Sequence, residues 1–454
     1  MSQAKYSRRE FLKHTGMVAG ALTLGSIVSA CIPQAPAGPA AQPVPAEGGG
    51  EAPPAEAAEL IFWGFADNRN KWYEALVEPF NAEYPDVKIT IEALPYDEMH
   101  NKVQTTLVAG AGAPDIADIE ISRFGQYVKG ERVGFIALND LLGADKDNLF
   151  ERSALAPWSW AGKNYGIGNE LNACLLFYRW DVMEEMGIEV PFKTWEEVTE
   201  QGKAYAEKTG KTFAAVPDSD WSSWWMISSA GGGFFDAEGN VAFNSELGVR
   251  TLQMLQDWVY VDEIAMLAPG GDRYNPTYYG AMAAGDFVIE VGAPWYQGFM
   301  KDNVAQLEGK WHMQPFPLFA DGTGARTATH GGTGTCITEQ SKAPDAAWNY
   351  IKFCNLNSDS VLKGFEMVNL FPTWKPAWED PRMQFEDPYF DNQKPAEFIA
   401  DVGDEMPPLY NSPFWPEVTD TFENIVLNPV MLNEKDVATA MEEGVAEAKR
   451  VMES

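Results

Sequence analysis

From residue 59 onward the chain alternates short apolar runs with longer amphipathic stretches. Leu60-Ile61-Phe62-Trp63 is an apolar run that stops at Gly64, the pattern of a buried strand. Between 70 and 84, Tyr73, Leu76, Val77, Phe80 and Tyr84 recur at helical spacing, and Pro85-Asp86 ends the helix. Val87, Ile89 and Ile91 then alternate with polar residues as a second strand. Met99, Val103, Thr106 and Leu107 share one face of a predicted helix over 96–109, Gly110 to Pro114 closes it, and 115–119 reads as a third strand. This β-α-β-α-β series predicts an α/β fold with a mostly parallel sheet covered by helices.

The rhythm is looser beyond that point. Residues 165–178 read as strand material and 180–186 as a helix. Thr194 with Glu197 three residues on is a capping box, so a helix starts there. Leu252, Leu255 and Val259 mark an amphipathic helix over 247–261, and Gly285-Asp286 turns the chain into a strand over 287–291. Further helices are predicted over 343–355 and 436–452. No internal repeat is visible.

The first residues follow a different pattern. Ser7-Arg8-Arg9-Glu10-Phe11-Leu12-Lys13 resembles a twin-arginine export signal, and an uncharged apolar run over 16–30 follows it. A spanning helix needs about 20 apolar residues, so the run reads as a signal segment, residues 1–30, and not as a membrane span. Val28-Ser29-Ala30-Cys31 resembles a lipobox, which makes Cys31 a lipidation candidate; stable anchoring then takes more than one acyl chain. Residues 32–58 are dominated by Pro, Ala, Gly and Glu without apolar periodicity. With Cys31 they read as a 31–58 tether, spanning roughly 30 Å as a flexible coil.

About 400 residues remain, enough for two domains or lobes. With 66 acidic against 33 basic residues the formal charge is −33, which repels phosphate backbones and disfavours nucleic acid. The chain also carries 16 Trp, 16 Tyr and 25 Phe, an aromatic stock suited to stacking on flat ligands. Cys174, Cys336 and Cys354 make no disulfide framework; one bridge, with Cys336–Cys354 the favoured pair, and free buried thiols both stay open. No nucleophile elbow, P-loop or H-E-x-x-H is present, so an enzyme is disfavoured and no cofactor is expected. The adjacent Tyr278 and Tyr279 do not make a metal site by themselves, because His100, His312 and His330 are far apart in sequence.

Several segments together resemble the extracellular solute-binding proteins of ABC importers, in the family of maltose- and arabino-oligosaccharide-binding proteins. They are Phe62-Trp63-Gly64, Phe80-Asn81-Ala82-Glu83-Tyr84-Pro85, Gly112-Ala113-Pro114-Asp115-Ile116, Leu176-Phe177-Tyr178-Arg179, Gly292-Ala293-Pro294-Trp295 and Gly331-Gly332-Thr333-Gly334. The resemblance covers essentially everything after the tether. It implies a periplasmic-binding-protein-like type II fold: two α/β lobes with a hinge and an interlobe cleft. Lobe 1 would comprise 59–170 with 312–370 and lobe 2 would comprise 171–311 with 371–454. Hinges are expected near 166–172, 312–319 and 370–374. It further implies a monomeric lipoprotein that captures a sugar or oligosaccharide and delivers it to an ABC permease. A polyol, glycerophosphodiester or peptide ligand is the alternative, and a secreted carbohydrate-active enzyme a more distant one.

Sugars pair apolar C–H faces with hydroxyls, so a site needs flat rings and orienting polar groups. The ring candidates are Trp63 at the end of the first strand, Trp221 and Trp224 before Gly231-Gly232-Gly233, and Trp295 and Trp415, the last two by resemblance. The polar candidates are Asp67 and Asn68 after the first strand, Glu120 and Arg123 around the end of the third, and Asn172 at the first crossing. His330 and Gly332 complete the set, the glycine permitting close backbone approach.

Overall fold

The computed structural model describes residues 57–453 except 131, 218–227 and 229–232. The signal, Cys31, the tether up to residue 56, Trp221 and Trp224 therefore lie outside the described residues. In chain order the elements used below are β1 (Ala58–Gly64), α1 (Asp67–Glu83), β2 (Val87–Ala93), α2 (Tyr96–Ala109), β3 (Ile116–Glu120), β4 (Gly166–Gly168) and β5 (Leu175–Arg179). There follow α3 (Trp195–Thr209), β6 (Ala214–Val216), α4 (Glu246–Tyr260), β7 (Ala265–Leu267), α5 (Pro276–Ala284), β8 (Ile289–Gly292), α6 (Pro294–Asn303) and β9 (Trp311–Gln314). The last are β10 (Thr333–Ile337), α7 (Pro344–Asn355), α8 (Ser358–Val368), α9 (Trp415–Thr421) and α10 (Val437–Met452).

The predicted β-α-β-α-β unit forms the parallel part of a five-stranded sheet, in the order β2-β1-β3-β10-β4. β1 pairs in parallel with both β2 and β3, whereas β10 runs antiparallel to β3 and β4. β3 is buried along its whole length, as expected of a strand covered on both faces. α1 starts three residues before the sequence pattern does, because polar Asp67, Asn68 and Arg69 form its first turn. Trp72, Tyr73, Leu76 and Phe80 of α1 then pack under the sheet with Tyr350 and Ile351 of α7.

A second sheet, β8-β5-β9, is antiparallel, and β6 pairs in parallel with β7 beside it. Its helices are capped as the sequence indicates. Thr194 accepts from the Glu197 amide at 3.1 Å, and Glu197 in turn accepts from the Lys193 amide at 2.7 Å. α4, α9 and α10 share an apolar core with Val288, Ile289 and Val291.

Residues 311–314 pair with β5, and Phe316 donates its amide to the Arg326 carbonyl at 2.8 Å. The segment expected to cross near 312–319 thus belongs to the second sheet. The chain returns to the first sheet only at β10. Three stretches lie side by side between the sheets. Cys174 donates to the Ala328 carbonyl (2.9 Å), Leu171 to Phe371 (2.8 Å) and Asn169 to Thr333 (3.3 Å), and the Thr373 hydroxyl donates to Gly168 (2.7 Å). Cys174, Cys336 and Cys354 are buried free thiols.

Candidate functional site

The carboxyl end of β3 and the start of β10 meet beside the stretch between β4 and β5. Thr333 is opposite Glu120, and the Ile121 amide donates to the Gly332 carbonyl at 2.9 Å. Asn172 donates from Nδ2 to the Gly331 carbonyl at 3.2 Å and accepts at its own backbone carbonyl from the His330 amide at 3.3 Å. From the second lobe, Pro294 starts α6 directly after β8, so that Trp295 projects from the first turn. The Trp295 indole N–H donates to the His330 carbonyl at 3.0 Å, and the two rings are 5.2 Å apart. Five expected site residues, Glu120, Asn172, Trp295, His330 and Gly332, therefore converge.

Gly332 has to be glycine on two counts. Its φ is +141°, and a Cβ there would come within 2.9 Å of Asn172 Nδ2. The backbone can run this close to Asn172 only without a side chain.

Glu120 is buried, and its Oε2 accepts from the Ser122 amide (2.8 Å), the Ser122 hydroxyl and the Tyr96 hydroxyl (3.0 Å). Burial raises its pKa above the usual carboxylate range. Its Oε1 has no hydrogen-bond partner among the described residues, and neither has Asn172 Oδ1. His100 holds the Glu120 backbone from α2. Its Nδ1 donates to the Tyr96 carbonyl at 2.7 Å and its Nε2 accepts from the Glu120 amide at 3.1 Å, a pattern that requires the neutral ring. Burial also lowers its pKa to about 3. Arg123 is braced by Asp97 (2.6 Å) and the Tyr96 hydroxyl (3.3 Å). Tyr96 and His100 carry no sequence motif, although their i, i+4 spacing over the first two turns of α2 puts them on one face.

The other candidates are placed differently. Trp63 lies in a core with Met99, Val103, Ile119 and Phe124, and the Lys102 ammonium sits 3.9 Å over its ring. One face of that indole is thereby taken. Asp67 is exposed, and Asn68 accepts from the Arg69 amide at 2.8 Å. Arg69 beside them goes inward. It pairs with Glu170 and donates to the Thr333 hydroxyl at 2.7 Å. Asp118 lies in the same network, accepting from Tyr73 (3.1 Å) and Thr335 (3.0 Å); burial pushes its pKa up to about 6.

Trp415 opens α9 and is 2% exposed, with Phe234 at 5.6 Å and Phe235 at 5.8 Å. These rings, Thr329 and Tyr410 line a small cavity. In the second lobe a further buried pair, Arg273–Glu290, is set at 3.2 Å, and the guanidinium lies 3.7 Å over Tyr296. Tyr278 donates to Glu290 and packs with Tyr279 as a core residue. Among the described residues no group of three His, Cys, Asp or Glu is placed to hold a metal. No described helix is long and apolar enough to cross a membrane.

The chain matches the family model for bacterial extracellular solute-binding proteins over residues 66–358. It is 32% identical over 404 residues to an arabinooligosaccharide-binding protein of Halalkalibacterium halodurans, covering 88% of this chain and 89% of that one. It is 30% identical over 401 residues to the arabinooligosaccharide-binding protein of Bacillus subtilis, covering 86% and 92%. Among solved structures, the GacH receptor of Streptomyces glaucescens superposes with a TM-score of 0.74 at 20% identity, covering 88% of this chain and 99% of that one. A Listeria monocytogenes ABC substrate-binding protein in complex with cycloalternan gives 0.72 at 19% identity, covering 87% and 99%. These likenesses establish the two-lobed type II fold. By sequence and by fold, the chain belongs to the bacterial extracellular solute-binding protein family.

Proposed function

We propose that this protein captures a neutral oligosaccharide between its lobes and delivers it to an ABC permease. The observation that carries the reading is the convergence of Trp295 with Glu120 and Asn172. A half-buried indole offers a face for C–H groups, and two buried oxygens await donors of the kind a sugar hydroxyl supplies. The two arabinooligosaccharide-binding relatives make arabino-oligosaccharides the first ligands to try. The stretches around 169–174, 327–333 and 371–373 are the hinges of this reading, and the lobes close about them.

An anionic ligand such as a glycerophosphodiester fits less well. Among the described residues the buried cations are already matched, Arg69 by Glu170, Arg179 by Asp181 and Arg273 by Glu290, and the formal charge of −33 repels anions. Catalysis has no support either, so the saccharide should be recovered intact after incubation with the protein.

Thermal shift against arabino- and malto-oligosaccharides, glycerophosphocholine and short peptides tests the reading. A hundredfold excess over Kd stabilises the native state by about 2.7 kcal/mol, so a true ligand is conspicuous. The reading fails when no saccharide shifts melting while another class does. The twin-arginine motif and Cys31 add an exported, lipid-anchored location on the outer face of the membrane. Cys31→Ser should then release the mature protein from membranes, and Arg8→Lys with Arg9→Lys should hold the precursor inside. A Cys31→Ser protein that still sediments with membranes removes the anchor.

A further inference from the structure

The two lobes touch a second time, away from the three side-by-side stretches. After β3 the chain makes a turn at 124–127, and this turn packs on the start of α9. Gly125 is the contact point. A Cβ there would collide with the Ser412 carbonyl oxygen and lie 2.9 Å from Trp415 Cβ, and both obstacles sit on the backbone or next to it. Neither can rotate away. Around this point Lys129 pairs with Glu417 and lies 5.2 Å over the Phe414 ring. Asn411 donates to the carbonyls of Ala156 (3.2 Å), Pro157 (2.7 Å) and Ser159 (3.3 Å), and Leu409 packs against the cores on both sides.

We propose that this contact is a clasp formed only when the lobes are closed, with Gly125 as the positioning residue that lets the two backbones meet. The proposal rests on the sugar-capture reading. Each side has its own support without the clasp. Gly125 lies within a turn backed by Phe124 and Tyr127 in one core, while Trp415 is held by Phe234, Phe235 and Phe422 in another. The seam between them holds a glycine, a partly exposed ion pair, Asn411 on three backbone carbonyls and the apolar Leu409. A seam of this composition can part in water, since its polar groups find solvent partners when it opens. The ion pair is exposed enough to contribute little, so backbone approach at Gly125 decides whether closure completes.

The test is Gly125→Val, with Gly125→Ala as the milder variant, titrated with arabino-oligosaccharides and followed by small-angle X-ray scattering. The ligand-free melting temperature should stay within about 2 °C of the wild type, since the open form lacks the contact. Affinity should fall about tenfold or more in Gly125→Val and less in Gly125→Ala. At saturation Gly125→Val should keep the radius of gyration of the ligand-free protein, where the wild type compacts. A ligand-free variant that melts more than about 5 °C lower, or fails to fold, overturns the proposal, because the contact then persists without ligand. Unchanged affinity and compaction overturn it as well. Failure of the sugar-capture reading looks different: the wild type itself would neither bind nor compact, and the clasp would fall with it.

Discussion

Trp295 and Trp415 both follow a proline-containing turn into a helix, yet the folded chain uses them in opposite ways. Trp295 is half-buried beside residues 330–332, with its N–H held by a backbone carbonyl and its ring packed against both cores. Trp415 is covered by Phe234 and Phe235 and closes the core of the second lobe. One ring has its polar edge fixed and part of its surface exposed. The other has spent its face on the fold. The difference is one of surroundings: Trp295 stays partly exposed between Tyr274, Phe299 and His330, whereas Trp415 is covered by Phe234 and Phe235.

The largest expected effect breaks this comparison from the Trp415 side. Trp415→Ala should lower the stability of the ligand-free protein by about 3–5 kcal/mol, read as a large drop in melting temperature, because it empties a packed core position. Melting that stays near the wild-type value would make Trp415 a ligand ring after all and erase the contrast.

Next in size is the buried network behind the Trp295 side. Asp118 has a pKa of about 6 in the folded chain against an ordinary value of 3.8, with burial as the main cause and Arg69 opposing it. The folded state therefore holds this proton more tightly. Its contribution is complete below about pH 4 and is lost as pH rises through about 6, roughly 3 kcal/mol in all. Stability of the wild type relative to Asp118→Asn should fall across that window when both are unfolded in urea. Parallel curves would mean that Arg69 and the hydroxyls of Thr335 and Tyr73 offset the burial of Asp118 more fully than expected.

Trp295→Ala should then weaken saccharide binding by tenfold or more, about 1.4 kcal/mol, while the ligand-free melting temperature moves little. This is the mirror image of Trp415→Ala. An unchanged Kd would remove Trp295 from the site.

The same contrast explains what is legible in the sequence. Period-two and period-3.6 patterns mark β1 to β3 and their helices, and the Thr194–Glu197 box marks α3, because these signals are local. Trp295 and Gly332 stand out as candidates because they fall in segments that resemble the family, and Glu120, Asn172 and His330 because they sit at the end of β3, at the first crossing and shortly before β10. Trp63 and Trp415 carry no local mark of what will cover them; that depends on Lys102 and on Phe234 and Phe235, far away in sequence. Asp67 and Asn68 are misplaced by a sequence reading, since a polar first helical turn looks like a loop. Residues 312–319 pass for a crossing, since nothing local reveals that β9 pairs with β5.

The smallest effect concerns the seam at Gly125. Lys129 and Glu417 are each about a third exposed, at 34% and 38%, and pairs of this kind contribute about 0–1 kcal/mol. Lys129→Met should therefore change Kd by less than about fivefold and make it less dependent on salt, as screening no longer acts on the pair. The valuable comparison is with Gly125→Val, which removes no charge and no hydrogen bond yet is expected to act more strongly. Should Lys129→Met prove the more damaging of the two, charge and not backbone approach would hold the seam. The contrast between a polar binding end and an apolar packed end would then have to be redrawn.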